Sequence, residues 1–161
     1  MVPIKRIVCP IDFSAASLAA LQEAVELAAH FEADIYLAHV GKAEKSDPEM
    51  MVIVEPEEEI LASIRQALQD IAARFAFKGV TIFFSAAVGD PAAQIVKIAN
   101  SKQADLIVIA THGRTGWRHL AFGSVTEEVI RTAACPVLTV RVPERNSIAA
   151  CDPNKPRLAL H

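Results

Sequence analysis

Two hydrophobic rhythms alternate along the chain. Short, nearly continuous apolar runs occur at Ile4–Cys9, Ala33–Val40, Val80–Ala86, Leu106–Ile109 and Pro136–Val142. Runs of that length and density suit strands buried on both faces. Between them, apolar residues recur at helical spacing. Leu18, Leu21, Val25 and Ala28 form one stripe. Ile60, Ile64, Leu68, Ile71 and Phe75 form a second, and Ile95, Ile98 and Ala99 a third. A last helix is predicted over Ser124–Thr132. Local signals punctuate the pattern. Pro10 ends the first strand, and Ser14 can cap the first helix. Lys78-Gly79 closes the second helix. Asp90-Pro91 pairs a capping carboxylate with proline at the first helical position. Gly41 to Pro56 is polar and acidic and reads as a loop.

The predicted order is β-α-β-α-β-α-β-α-β. Apolar strands alternating with amphipathic helices imply an α/β fold, a doubly wound five-stranded parallel sheet with helices on both faces. Right-handed crossovers leave two main strand orders, 3-2-1-4-5 and 2-1-3-4-5. In the first, the chain reverses between strands one and four. Ligands bind beyond the carboxyl ends of strands at such a switch point. The segments there would be Pro10-Ile11-Asp12 and Ala110-Thr-His-Gly113.

Composition narrows the function classes. The 161 residues, 52% hydrophobic and 22% charged, describe a globular chain of one main domain. A net charge of −3 makes nucleic acid an unexpected partner. Charged residues interrupt every apolar stretch before the roughly 20 residues of a membrane span. Met1-Val-Pro-Ile-Lys-Arg6 leads straight into a strand pattern without a signal-peptide profile. Cys9, Cys135 and Cys151 show no metal-like spacing and fit reduced thiols in the cytoplasm. The tail, 144–161, is rich in proline and charge, and is expected to be loosely ordered.

The stretch from Ala110 to Ser124 carries the clearest chemical signal. It joins a buried-strand pattern to a helix start, with small residues at both ends. Such a loop brings backbone N–H groups close to an anion, and the helix start adds unpaired donors and a positive dipole end. No GxxxxGK[ST] occurs, which excludes a P-loop. The first strand's turn, Pro10-Ile-Asp-Phe-Ser14, lacks the glycines of a dinucleotide fingerprint. Phosphate binding therefore falls to the fourth strand's loop.

These residues carry a family resemblance. The chain resembles the universal stress proteins, in their nucleotide-binding branch, whose fourth strand is followed by G-x2-G-x9-G-[ST]. Here the pattern reads Ala110-x2-Gly113-x9-Gly123-Ser124. Val8-Cys-Pro-Ile-Asp12-Phe-Ser-Ala-Ala-Ser17, the Gly89-Asp-Pro91 turn and Cys135-Pro-Val-Leu-Thr-Val140 also fit, so the resemblance spans 4–142. It implies a family domain over 1–143, the 3-2-1-4-5 order and an adenine-nucleotide site. One departure is Ala110, which replaces the first glycine. Its methyl either crowds the ligand or is harmless if the backbone φ is negative.

The resemblance places Asp12 at the adenosine. The residue is also a natural turn-former ahead of a helix. Pro10, Ile11, Val40 and Ile109 would line the base, or serve as ordinary core. Gly113, Gly123 and Ser124, with the backbone N–H groups of Val125 and Thr126, would hold phosphate. Ser124-Val-Thr-Glu127 also reads as a capping box, a role compatible with presenting backbone donors. His112, Arg114, Arg118 and His119 suit a phosphate lid or a solvated loop, with Arg114 and His112 the better candidates. Trp117 would pack that loop down. His30 and His39 read as structural.

No nucleophile–base pair is visible, and Glu127 is better spent as a cap. The expected function is binding of ATP or AMP by a stress-response sensor or adaptor, with at most slow hydrolysis. Mg²⁺ would enter only through the nucleotide phosphates. The alternatives are a weak Mg²⁺-dependent ATPase and a nucleotide-free interaction module. The last strand, 136–142, would lie at a sheet edge, apolar and β-branched. Pairing about a two-fold axis there predicts a homodimer, a tendency the resemblance shares.

Overall fold

The computed structural model describes residues 3–41, 57–75, 79–111 and 123–141. Five strands and four helices alternate: β1 (Arg6–Pro10), α1 (Ala15–Phe31), β2 (Asp34–Gly41), α2 (Glu57–Ala73), β3 (Ile82–Val88), α3 (Pro91–Ser101), β4 (Leu106–Ala110), α4 (Ser124–Thr132) and β5 (Val137–Val140). All pairings are parallel, and the strand order is β3-β2-β1-β4-β5. The first of the two expected orders is therefore the one adopted.

The sheet divides the core by the two-residue period of its strands. Ile7 and Cys9 of β1 face one way, where they meet Ile35 and Leu37 of β2, α1 and α2. Val8 faces the other way with Ile107 and Ile109, under Ala92, Ile95 and Ala99 of α3 and Val129 of α4. The central strands β1 and β4 are buried almost throughout, and the edge strands β3 and β5 are not. Alanines at 20, 24 and 28 let α1 sit close on the sheet, and Leu21 and Val25 fill the space between them. A fully buried leucine such as Leu21 contributes roughly 2 kcal/mol of transfer free energy. Burial also pushes the Cys9 thiol up to about 12, so it stays protonated.

Local chemistry sets the ends of the helices. Ser14 accepts from Ser17 N at 3.1 Å and caps α1. Asp90 accepts from Ala93 N at 2.9 Å and caps α3, with Pro91 behind it. Helix α1 ends on Glu32 at φ 53°, while Ala33 N reaches back to Ala28 O. That is a left-handed stop with a non-glycine residue in the glycine position.

Several boundaries differ from the sequence expectation. Leu18 is only half-buried, and the buried stripe of α1 runs through Ser17, Ala20, Leu21, Ala24, Val25 and Ala28. Helix α2 stops at Ala73, with turns at Arg74 and Phe75, and does not reach Lys78-Gly79. Strand β3 starts at Ile82 and runs on to Val88, two residues past the expected end. Strand β5 is confined to Val137–Val140. Proline 136 has no N–H for the ladder, although its carbonyl accepts from Ile107 N. The Gly41–Pro56 loop beyond Gly41 and the tail lie outside the described residues. Among the described residues, no helix is long and apolar enough to cross a membrane.

Candidate functional site at the switch point

Strand β1 lies between β2 and β4, so the chain reverses at the β1/β4 junction. The loop leaving β1 and the segment leaving β4 emerge from the same end of the sheet. Ile11 N still donates to Ala38 O at 2.8 Å, which carries the ladder one residue beyond β1. Beyond that point the backbone turns sharply. Asp12 Oδ1 accepts from Ser14 N at 3.0 Å, the signature of an Asx turn. Asp12 N donates to Ser17 Oγ. Between them Phe13 adopts φ 63°. A left-handed phenylalanine costs on the order of 1–3 kcal/mol and persists only where its surroundings fix it.

His39, near the end of β2, supplies part of that fixation. Its Nδ1 donates to Ile11 O at 2.7 Å. A carbonyl oxygen can only accept, so Nδ1 carries the proton. The imidazole also packs on the Phe13 ring, with centroids 4.5 Å apart. The sequence reading of His39 as structural did not say where it acts, and the structure puts it against the loop that follows β1. The β2 pattern held the signal, because parallel pairing sets the residues after Ala38 beside those after Pro10.

The β4 side is pinned to α4 by two bonds. Gly123 N donates to Thr111 O at 2.7 Å, and Thr126 Oγ1 donates to Ala110 O at 2.8 Å. Gly123 has an ordinary φ of −68°, so its value lies in space and not in backbone freedom. A Cβ there would come within 3.3 Å of Thr111 O. The helix start corrects one sequence reading. Gly123, not Ser124, is the N-cap, and no side chain caps α4. Ser124 is the first helical residue, which moves Glu127 one position too far along to close a capping box. The first N–H groups of the helix, on Ser124, Val125 and Thr126, have no intrahelical acceptors. Helices α1 and α3, by contrast, both carry side-chain caps.

The structure brings together Asp12, Val40, Gly123, Ser124, Val125 and Thr126 around this end of the sheet. Pro10, Ile11, Ile109 and Ala110 are buried beneath it, Ile11 at 4% exposure and Ala110 at 7%. Ala110 has strand conformation, and it belongs to the core on the α1 side. Thr126 is tied to β4 through its hydroxyl. His112, Gly113, Arg114, Gly116, Trp117, Arg118 and His119 lie outside the described residues. A cleft of about 550 Å³ opens beside Ser124 and Val125, between α3 and α4. Asp90 and Glu128 on its walls disfavour phosphate there. Among the described residues, no three His, Cys, Asp or Glu side chains gather to hold a metal.

Residues 3–141 match the universal stress protein family. This chain belongs to that family. It is 36% identical over 146 residues to universal stress protein MJ0531 of Methanocaldococcus jannaschii, covering 88% of this chain and 84% of that protein. Its fold is similar to the solved structure of MJ0577 from the same organism, with a TM-score of 0.77, 27% identity and coverage of 89% and 99%. It is also similar to a universal stress protein crystallised in complex with cAMP, with a TM-score of 0.66, 26% identity and coverage of 86% and 98%.

Proposed function

We propose that this universal stress protein binds an adenine nucleotide, ATP or AMP, and acts as a stress-response sensor or adaptor. The observation that carries this reading is the convergence, at the β1/β4 switch point, of the Asp12 turn and the start of α4, which has no side-chain cap. A carboxylate suits ribose hydroxyls or an adenine amino group. Uncapped helix N–H groups suit phosphate. Val40, on β2 beside β1, offers a half-buried apolar side chain at the same end of the sheet. The cAMP complex of a relative supports an adenine ligand for this fold. Mg²⁺ would arrive on the phosphates of ATP. The free thiols of Cys9 and Cys135 fit a reducing compartment, the cytoplasm.

Calorimetric titration with ATP, AMP, cAMP and GTP tests the reading. Micromolar binding of at least one adenine nucleotide, with GTP at least ten-fold weaker, is the expected result. Equal affinity for GTP would remove adenine selectivity. No binding of any of the four would leave a nucleotide-free module.

The same proposal includes a homodimer through β5. That strand lies at the sheet edge with Leu138 41% exposed, and Ile130 of α4 is 43% exposed. Light scattering should give a dimer mass for the native chain and a monomer mass for Thr139→Pro. An unchanged dimer would move the contact elsewhere. The β3 edge, with Phe83 and Phe84 exposed, is the first place to look.

A further inference from the structure

We propose that His39 is the positioning residue that sets Asp12 for its ligand. The inference rests on the adenine-nucleotide reading above and adds a residue to it. Two contacts meet at this side chain. Its Nδ1–H holds Ile11 O at 2.7 Å, and its ring packs on Phe13 at 4.5 Å. These are the two neighbours of Asp12, so His39 grips the chain on both sides of the carboxylate. The segment it grips needs holding, because Phe13 has φ 63°. A loop relieved of that grip would let Phe13 relax towards negative φ and carry Asp12 with it.

The strand ladder explains why a side chain is needed. Ile11 N is served by β2 through Ala38 O, and Ile11 O is served by the imidazole. The loop is thus fixed to β2 by one backbone bond and one side-chain bond. Neutral imidazole with its proton on Nδ1 and the imidazolium both donate to Ile11 O, so the grip holds in either protonation state.

The two contacts separate by substitution. His39→Asn keeps a donor at the position of Nδ1 and loses the ring. His39→Phe keeps a ring for Phe13 and loses the donor. In His39→Phe, affinity for ATP and for AMP should fall together by about ten-fold, because both share the adenosine that Asp12 contacts. His39→Asn should stay within about three-fold of the native chain. Ser14 N–H, which Asp12 Oδ1 accepts, should exchange with solvent about ten-fold faster in His39→Phe and at the native rate in His39→Asn. An asparagine variant as weak as the phenylalanine variant would overturn the donor role. Unchanged affinity and exchange in both would overturn the proposal.

A measurement on the native protein guards against a phenylalanine variant that fails to fold. The ¹⁵N shifts of His39 should show Nδ1 protonated, and the opposite tautomer would refute the grip. If the native chain binds no adenine nucleotide, the functional reading fails. Ser14 exchange then decides alone whether His39 holds the Asp12 turn.

Discussion

The two ends of the sheet treat an aspartate in opposite ways. At the amino end of β1, Asp105 accepts from both Lys5 N and Arg6 N at 2.9 Å. Arg6 closes on the same carboxylate with Nε at 3.8 Å, and its Nη1 donates to Gln103 Oε1. Lys5 Nζ donates to Phe31 O at the end of α1. That end of the molecule stitches β1, β4 and α1 together with its own side chains. At the carboxyl end, Asp12 shapes a turn that includes a left-handed Phe13, and α4 begins with no side-chain cap. One end uses its polar groups to close the fold. Left-handed non-glycine residues occur at both ends, Glu32 and Gln103 at one and Phe13 at the other, so the difference lies in the polar groups: the carboxyl end leaves a helix start without a side-chain cap, an arrangement suited to an anion.

Substitutions at the two aspartates test this contrast most directly. Asp105→Ala removes two charge-assisted bonds to backbone and should cost about 3 kcal/mol in urea unfolding. Adenine-nucleotide affinity of the folded protein should stay within two-fold. Asp12→Ala should do the reverse. Affinity for ATP and AMP should drop by about 10- to 100-fold, with no more than about 1 kcal/mol lost from stability. If Asp12→Ala proves the more destabilising of the two, the contrast between the ends collapses.

A smaller effect distinguishes the two halves of the open end. Gly123→Val places a Cβ where Thr111 O is 3.3 Å away and disturbs the start of α4. If the proposed site holds phosphate at the helix start, ATP should lose about ten-fold and adenosine, which has no phosphate, less than three-fold. Equal losses for the two ligands would mean that α4 does not face the phosphates. The smallest change belongs to the closed end. Glu32→Gly puts glycine at φ 53° and should add about 0.5–1 kcal/mol of stability, with binding untouched. A loss of stability would show that the left-handed stop depends on the glutamate side chain.

The contrast also separates what the sequence discloses from what it hides. Helix caps at Ser14 and Asp90 are readable, because a short polar side chain before an apolar periodicity has one main use. Strand order follows from alternation and the family motif together, since alternation alone leaves two orders. The start of α4 was misread for a physical reason. Ser124-Val-Thr-Glu127 satisfies the capping-box pattern, and only the extended backbone of Gly123 shows that the helix begins one residue earlier than the box requires. Ala110 departs from the family motif, and the structure adds that its methyl is buried in the core at the end of β4, in strand conformation. Phe13 was not foreseeable at all. Nothing in the propensity of phenylalanine announces a positive φ, which is imposed by the Asx turn and by His39 from another strand.

The bonds from Gly123 N to Thr111 O and from Thr126 Oγ1 to Ala110 O make the start of α4 a mechanical extension of β4. Both acceptors are carbonyls at the end of the strand, so the helix takes its position from the sheet itself. A displacement of α4 away from β4 must break both bonds, at roughly 1 kcal/mol each, before the helix moves. Whatever pulls on the first turn of α4 therefore pulls on a central strand of the molecule, and a load applied there is shared by the whole sheet.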